Sequence, residues 1–449
     1  MSSVPLRGLS IITWGCQMNL ADSNRAAALL ASTHRLCDLK DADLVLLNTC
    51  SVRDKPQQKV LSALGRLKTW KNERPGRLIG VMGCVAQQMK DELFAAAAHV
   101  DLVLGPDGID ELPRLVEQAD QGTHRGQATR LMRCGTALTQ AASLAAAGPA
   151  AYVNITKGCD KFCTYCIVPF TRGREHSRQP EVVMQEVHTL ADQGVLEITL
   201  LGQNVTGYGR DFDGHHNLAS LVTHLLDREP RIRRLRFLTS HPRDTGPELW
   251  ELFADPRVMP YLHLPLQAGD DQVLLRMGRG YTLDQYRQQV EAVRRIRPDV
   301  ALASDFIVGF PGETREQFEK TLYAVEQIGY HSIYSFVYSP RPRTKAALMD
   351  DSVPREEKLA WLQELQSLQA RHTMAALTAM VGRTVDVLVE GQSVRDPGEN
   401  SGRTPCNKVI NLPARPGDRG RILAVTVTDT RANSLRGMPA DAPATQRGM

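Results

Sequence analysis

Short apolar runs separated by helical patterns fill the first hundred residues. GLSIIT (8–13), ADLVLLN (42–48) and RLIGVMG (77–83) read as buried strands, and VDLVLG (100–105) as a fourth. Residues 21–31, 54–70 and 86–98 carry the apolar period of helices. This alternation predicts a doubly wound parallel sheet. From 151 to about 350 the alternation resumes, with strands at 151–156, 197–202, 234–240, 261–266, 301–310 and 331–339 and helices such as 181–193, 283–297 and 315–328. Six βα units in about 200 residues point to a partial or full β/α barrel. An amphipathic helix over 354–380 follows. After 378 the pattern turns to period-two, β-branched runs broken by Pro, Gly and Asn, the signature of a small antiparallel β-barrel.

The chain therefore divides into a first α/β domain (1–120), a linker (121–150, Ala-rich from 137), a β/α barrel with a trailing helix (151–377), a β-barrel (378–440) and a tail (441–449). No internal repeat occurs at solenoid periods.

Composition narrows the class. The 449 residues are 42% hydrophobic and 23% charged, which excludes fibrous and wholly disordered chains. No apolar run is long enough to span a membrane, and the opening stretch does not read as a secretory signal. The expectation is a cytoplasmic protein. A net charge of +4 permits nucleic-acid binding without demanding it, and 5% aromatics argues against a broad base-stacking surface.

Nine cysteines carry the chemistry. Cys159, Cys163 and Cys166 are spaced Cys-x3-Cys-x2-Cys on the loop after the first barrel strand. Three thiolates on a short loop can hold one face of a cubane and leave its fourth iron open; by spacing alone, a structural zinc with a distant fourth ligand fits as well. Cys16, Cys50 and Cys84 each follow closely on a predicted parallel strand. In a doubly wound sheet these ends open on one edge, where the three thiols either converge or remain unrelated. Cys37, Cys134 and Cys406 are isolated and read as structural or incidental.

The stretch Gly158-Cys159-Asp160-Lys161-Phe162-Cys163-Thr164-Tyr165-Cys166 resembles the signature of the radical S-adenosylmethionine (SAM) superfamily. That resemblance implies a [4Fe–4S] cluster whose open iron binds SAM, with Tyr165 near the adenine and reductive cleavage of SAM to a 5′-deoxyadenosyl radical. It also implies a low-potential electron donor such as flavodoxin or ferredoxin. Thr13-Trp14-Gly15-Cys16-Gln17-Met18-Asn19 with Asp22-Ser23, Asn48-Thr49-Cys50-Ser51-Val52-Arg53 and Gly83-Cys84-Val85-Ala86-Gln87 resemble the cysteine motifs of the methylthiotransferases. In that family the three cysteines hold a second [4Fe–4S] cluster.

Gly15-Cys16-Gln17-Met18-Asn19, Leu388-Val389-Glu390-Gly391, Ser401-Gly402-Arg403-Thr404 with Asn407, and Asn433-Ser434-Leu435-Arg436-Gly437 are similar to the branch acting on isopentenylated adenosine beside the tRNA anticodon. The resemblance covers about residues 8–437. It implies two SAM molecules consumed per turn, one for the methyl group and one for the radical that removes hydrogen from carbon-2 of the adenine; the chain is expected to act as a monomer. Rival readings are the same chemistry on a ribosomal-protein aspartate or on threonylcarbamoyl-adenosine tRNA, and a non-catalytic iron–sulfur electron carrier or RNA-binding protein.

The final domain resembles a TRAM domain. From 378 on it holds ten Lys/Arg against seven Asp/Glu and no Phe, Trp or Tyr, so it would grip phosphate and ribose, with Arg383, Arg403, Lys408 and Arg421 as candidates. In the barrel, Gln203, Asn204, Gln267, Gly309 and Gly312 are the candidate cofactor contacts. His263 reads as a satisfied core residue. Thr171-Arg172-Gly173-Arg174-Glu175 places charge where a SAM carboxylate or a phosphate could meet it. Two stretches depart from the family: Ala268-Gly269-Asp270 replaces Ser-Gly-Ser, and Arg341-Pro342-Arg343-Thr344-Lys345-Ala346 replaces Arg-Pro-Gly-Thr-Pro-Ala.

Overall fold

The computed structural model describes residues 5–51, 54–122, 125–131, 148–214 and 216–440. Cys134, Val52-Arg53, the tail from 441 and the Ala-rich stretch up to 147 lie outside them.

The first unit is a six-stranded, all-parallel sheet. Its strands run in the spatial order His34–Leu36, Arg7–Trp14, Leu44–Thr49, Leu78–Gly83, Leu102–Leu104, Gly126–Ala128. The two central strands, Leu44–Thr49 and Leu78–Gly83, are buried at every position, which is why they read as continuous apolar runs rather than alternating ones. The edge strands are only three residues long and were not visible in the pattern. Gly126–Ala128 pairs with Leu102–Leu104, so the segment read as a linker begins with the last strand of this sheet. The helix expected over 86–98 is two helices, Cys84–Met89 and Asp91–Ala96, divided at Lys90, whose φ is 50°.

The second unit has six parallel strands in sequence order. Ala150–Asn154, Glu197–Leu201 and Arg234–Phe237 form one sheet, and Tyr261–His263, Ala301–Val308 and Ser332–Val337 form another. A parallel bridge between Leu235 and Val258 and the Ser240 N–H to His263 carbonyl bond (3.3 Å) connect the two halves. The result is a partial barrel. Its outward side chains, such as Val153, Leu200, Phe237, Leu262 and Phe306, pack beneath the helices in one large core. The helix Arg355–Thr378 then packs Trp361 flat on Phe318, 5.2 Å between ring centres.

Five strands, Thr384–Gln392, Glu399–Arg403, Val409–Pro413, Ile422–Thr430 and Ser434–Pro439, close the last unit into a barrel. One pairing, 409–411 with 434–436, is parallel; the others are antiparallel. Barrel closure leaves no free sheet edge. This unit is fixed to the β/α barrel by buried arginines. Arg234 donates to the carbonyls of Arg403 (2.9 Å) and Asp386 (2.7 Å), and Arg236 to those of Pro405 (2.7 Å) and Thr404 (2.9 Å). Glu197 holds Arg236 at 2.9 Å, and Cys406 packs against Tyr261, Ala301 and Ala303.

Candidate active site

Strand register explains how the first three cysteines meet. Trp14 pairs with Thr49, and Thr49 with Gly83, so Cys16, Cys50 and Cys84 leave the sheet at the same level. A buried amide network lies beneath them. Asn19 Nδ2 donates to Asn48 Oδ1 (2.9 Å), and Asn48 Nδ2 donates to the Asn19 carbonyl (2.7 Å) and to Ser23 Oγ (2.8 Å). The Cys16 thiol donates to Asn19 Oδ1 at 3.4 Å. A hydrogen bond from Cys50 brings the Cys16 thiol down to about 6 against its burial, and the nearby Arg172 cation assists.

Arg172 comes from the β/α barrel. Its Nε–H donates to Cys84 Sγ at 3.3 Å and its Nη2 to Asp22 Oδ2 at 2.7 Å, with both ends of the ion pair buried. Sequence reading placed this arginine toward a SAM carboxylate or a phosphate; its observed partners are a thiol and a carboxylate of the first unit. Arg174, its neighbour, pairs with Asp160 (2.6 Å). Lys157, two residues before Cys159, forms a second ion pair across the boundary with Asp107. One helical turn, Val168–Thr171, separates Cys166 from Arg172, so both thiol triplets adjoin the same short segment.

The second triplet sits on a tightly held loop. Gly158 has φ of 75°, and a Cβ there would collide with the Arg174 carbonyl. Its N–H donates to Gln203 Oε1 at 2.6 Å, and Cys159 N–H donates to the Gly173 carbonyl at 3.3 Å. Burial pushes the Cys159 and Cys166 thiols up to about 12. Arg279, buried, donates from Nη1 to Cys163 Sγ at 3.4 Å and from Nη2 to the Pro265 carbonyl at 2.9 Å. Nothing in the spacing of the chain singled out Arg279; its position twelve residues after Gln267, at the end of a short helix, is the only local mark.

Each donor set, three thiols, fits a cubane, which presents separate irons to thiolates arranged around it. The pocket of Cys159 and Cys166 disfavours bare thiolates, so a cationic iron core would supply the charge that stabilises them. Each triplet has one buried arginine on one of its sulfurs, a hydrogen bond of the kind that tunes such centres.

Other candidates fall into place unequally. Tyr165 is half-buried and meets Phe310 edge-on, ring centres 6.4 Å apart. Gln203 spends its carbonyl oxygen on the cluster loop. Asn204 was expected to contact the cofactor, but its side chain is committed to Glu175 (3.1 Å), Asp244 (2.7 Å) and Thr206 (2.8 Å). Gln267 has φ of 79° and bridges Phe306 through the backbone. Gly309 turns against the stem of Lys358, and Gly312 lies beside Arg276. His263 is mostly buried, with its Nε2 3.3 Å from Asp305 Oδ2 and its ring edge-on to Tyr334. Asp270, one of the departures, caps the next helix by accepting from Gln272 and Val273 N–H, a task that serine or aspartate performs equally.

In the last unit, Arg383 and Arg421 are exposed. Arg403 pairs with Glu390 (2.9 Å) and donates to Asn407 (3.2 Å), and Lys408 donates to the His331 carbonyl of the β/α barrel (2.8 Å). Those two expected RNA contacts are engaged within the chain. A surface cavity of about 700 Å³ near Arg210, Phe212, Asn217 and Glu248 has no cysteine in its lining.

Comparison with known families defines the class. Residues 153–324 match the radical SAM superfamily, residues 9–105 the uncharacterized protein family UPF0004, and residues 378–439 the TRAM domain. A solved radical S-adenosylmethionine methyltransferase, TsrM from Kitasatospora setae, has a similar fold (TM-score 0.58, 15% identity, 76% of this chain and 74% of that one). So does the cobalamin-dependent radical enzyme OxsB (TM-score 0.51, 12% identity, 82% and 56%). This is a radical SAM protein with a second cysteine-bearing α/β unit and a TRAM barrel.

Full-length relatives are closer in sequence. Proteins named tRNA-2-methylthio-N(6)-dimethylallyladenosine synthase from Actinobacillus succinogenes (44% identity, 96% of this chain and 91% of that one) and Nitratidesulfovibrio vulgaris (44%, 97% and 99%) align nearly end to end. The chain belongs to that synthase family.

Proposed function

We propose that this protein is a tRNA methylthiotransferase that inserts sulfur and a methyl group at carbon-2 of isopentenylated adenosine beside the anticodon. What carries the reading is 44% identity along almost the whole chain to synthases named for that product. Two cysteine triplets, brought to one short segment of the barrel, are the arrangement such chemistry calls for. Cys16, Cys50 and Cys84 would hold one [4Fe–4S] cluster and Cys159, Cys163 and Cys166 the other. Bound there, one cluster supplies an open iron for SAM and the electron that cleaves it, while the other supplies an open iron for the sulfur that accepts the methyl group.

The chain's own residues do the positioning. Gln203 and Gly158 fix the shape of the loop bearing Cys159. Arg279 places a buried cation against Cys163, where it balances anionic thiolates and attracts a carboxylate entering the barrel. Arg172 and Asp22 hold the first unit against the barrel, which keeps the two triplets together; proximity of this kind converts an encounter into an internal step. Arg383 and Arg421 offer charge to the RNA backbone.

The partners are tRNA and a low-potential electron donor, and the working form is a monomer in the cytoplasm. No helix of the described residues is long and apolar enough to cross a membrane. The deciding experiment is mass analysis of tRNA nucleosides after anaerobic incubation with the reconstituted protein, SAM and reductant. A methylthio adduct on isopentenyladenosine, absent from tRNA lacking the isopentenyl group, is expected; modification of the unprenylated tRNA, or of neither, overturns the substrate assignment.

A further inference from the structure

Thr164, between Cys163 and Cys166, is tied to two surface segments. Its carbonyl accepts from Ala346 N–H (2.8 Å), its N–H donates to the Met277 carbonyl (2.9 Å), and its hydroxyl donates to the Arg276 carbonyl (2.8 Å). Just beyond these contacts stand two of the most exposed apolar side chains in the molecule, Leu348 at 91% and Leu275 at 70%. Isolated exposed leucines are ordinary; two on segments that converge on one residue of the cluster loop make a patch.

The charges beside it are mixed, with cations in excess. Arg343 and Lys345 are exposed and Arg276 is half-exposed, while Asp271 and Asp350 are the nearby exposed acids and Asp351 is held by Lys358. Arg343 has φ of 68°, a left-handed conformation that a non-glycine residue adopts at a cost, so a charge occupies a position the backbone would rather give to glycine. Gly278, also exposed, lies where a Cβ would sit 3.5–3.9 Å from Thr164 and the Cys163 Cα. Backbone alone separates the cysteine loop from solvent at that point.

We infer that the patch formed by Leu275, Arg276, Gly278, Arg343, Lys345 and Leu348 is the docking surface for an acidic one-electron carrier protein. Apolar anchors beside an excess of cations, Arg276, Arg343 and Lys345 against the exposed acids Asp271 and Asp350, favour a salt-sensitive encounter with an acidic partner. The thin cover at Gly278 and the Ala346–Thr164 hydrogen bond give the electron a short path to Cys163. In the transfer the carrier is oxidised by one electron, the centre held by Cys159, Cys163 and Cys166 is reduced by one, and no bond to an atom forms or breaks. The inference rests on the radical SAM reading above.

The test uses reduced flavodoxin, an acidic carrier, against dithionite, a small reductant that requires no docking surface. Two variants of the reconstituted protein are compared with wild type: R343G, which removes the charge while relaxing the backbone, and the triple K345E/L348S/R343G. Expected are a rise in flavodoxin Kd by calorimetry on the order of ten-fold in the triple variant, a smaller rise in R343G, and loss of the salt dependence of binding. Dithionite bleaching of the clusters and dithionite-driven SAM cleavage should stay at wild-type rates. Unchanged flavodoxin affinity, or equal losses with both reductants, overturns the docking assignment. Wild type that cleaves no SAM with dithionite would instead refute the enzyme reading, and the docking surface with it.

Discussion

Arg172 reaches out of the β/α barrel to place its Nε–H on the sulfur of Cys84, 3.3 Å away in the neighbouring unit. The same guanidinium closes on Asp22 at 2.7 Å. A single side chain thus links the cysteine site of the first unit to the loop that carries the other one.

Breaking that link leaves a charge buried without its partner. R172Q is expected to lower unfolding stability by about 3–5 kcal/mol, the usual cost of removing one member of a buried ion pair. R172K should fall between, because it keeps the charge and loses the directed Nε–H. Urea titration of the three proteins measures this, and iron content should fall first at the Cys16, Cys50, Cys84 site.

The two triplets are expected to load independently. Anaerobic reconstitution should give about eight irons per chain in the wild type and about four in either C50S or C163S. Only C163S should lose 5′-deoxyadenosine formation, because that product requires only the SAM-binding site. Iron assay with chromatography of the SAM products distinguishes the two variants.

Glu313 supplies a pH signature. Burial raises its carboxyl to about 7 from 4.5, although the N–H groups of Phe310 and Gly309 oppose the shift. Between those values the folded chain holds a proton that the unfolded chain has released, so stability falls as pH rises through the window. At about 1.4 kcal/mol per unit the loss is at most roughly 3 kcal/mol by pH 7. E313Q keeps an oxygen to accept from both N–H groups and should lack this slope. Denaturant unfolding at pH 5 and pH 8 reads the difference between the two proteins.

RNA affinity should respond to the exposed cations only. R383A and R421A are each expected to weaken tRNA binding and to reduce the log K against log salt slope by about 0.7–0.9. K408M should leave that slope unchanged, since the ammonium is bound to the His331 carbonyl. Filter binding across a salt series provides the check.

The legible parts of this molecule are those where one local rule dominates. Leu44–Thr49 and Leu78–Gly83 announced themselves as buried strands, and because parallel strands end on one edge, pattern placed Cys50 and Cys84 on that edge while leaving their convergence to the strand register. His34–Leu36 and Gly126–Ala128 were missed because a three-residue edge strand has too few buried positions to show a period. The break at Lys90 was hidden because its positive φ carries no glycine to mark it. Arg172 stood out as a charge beside the cysteine loop but not as the partner of Cys84 and Asp22, and Arg279 was invisible, because a lone arginine acquires its role only from what tertiary structure sets beside it. The partners of Arg403 and Lys408 were likewise not legible, since basic residues in a basic unit look free until Glu390, Asn407 and the His331 carbonyl are set beside them.

The arginines that reach from Arg234 and Arg236 to the carbonyls of residues 386 and 403–405 leave the C-terminal barrel no hinge on which to swing. A nucleic acid held by that barrel therefore meets the cysteine-bearing loop of the β/α barrel at one set span. Which nucleotide is presented then becomes a matter of counting along the strand, with the two units acting as the fixed jaws of a caliper.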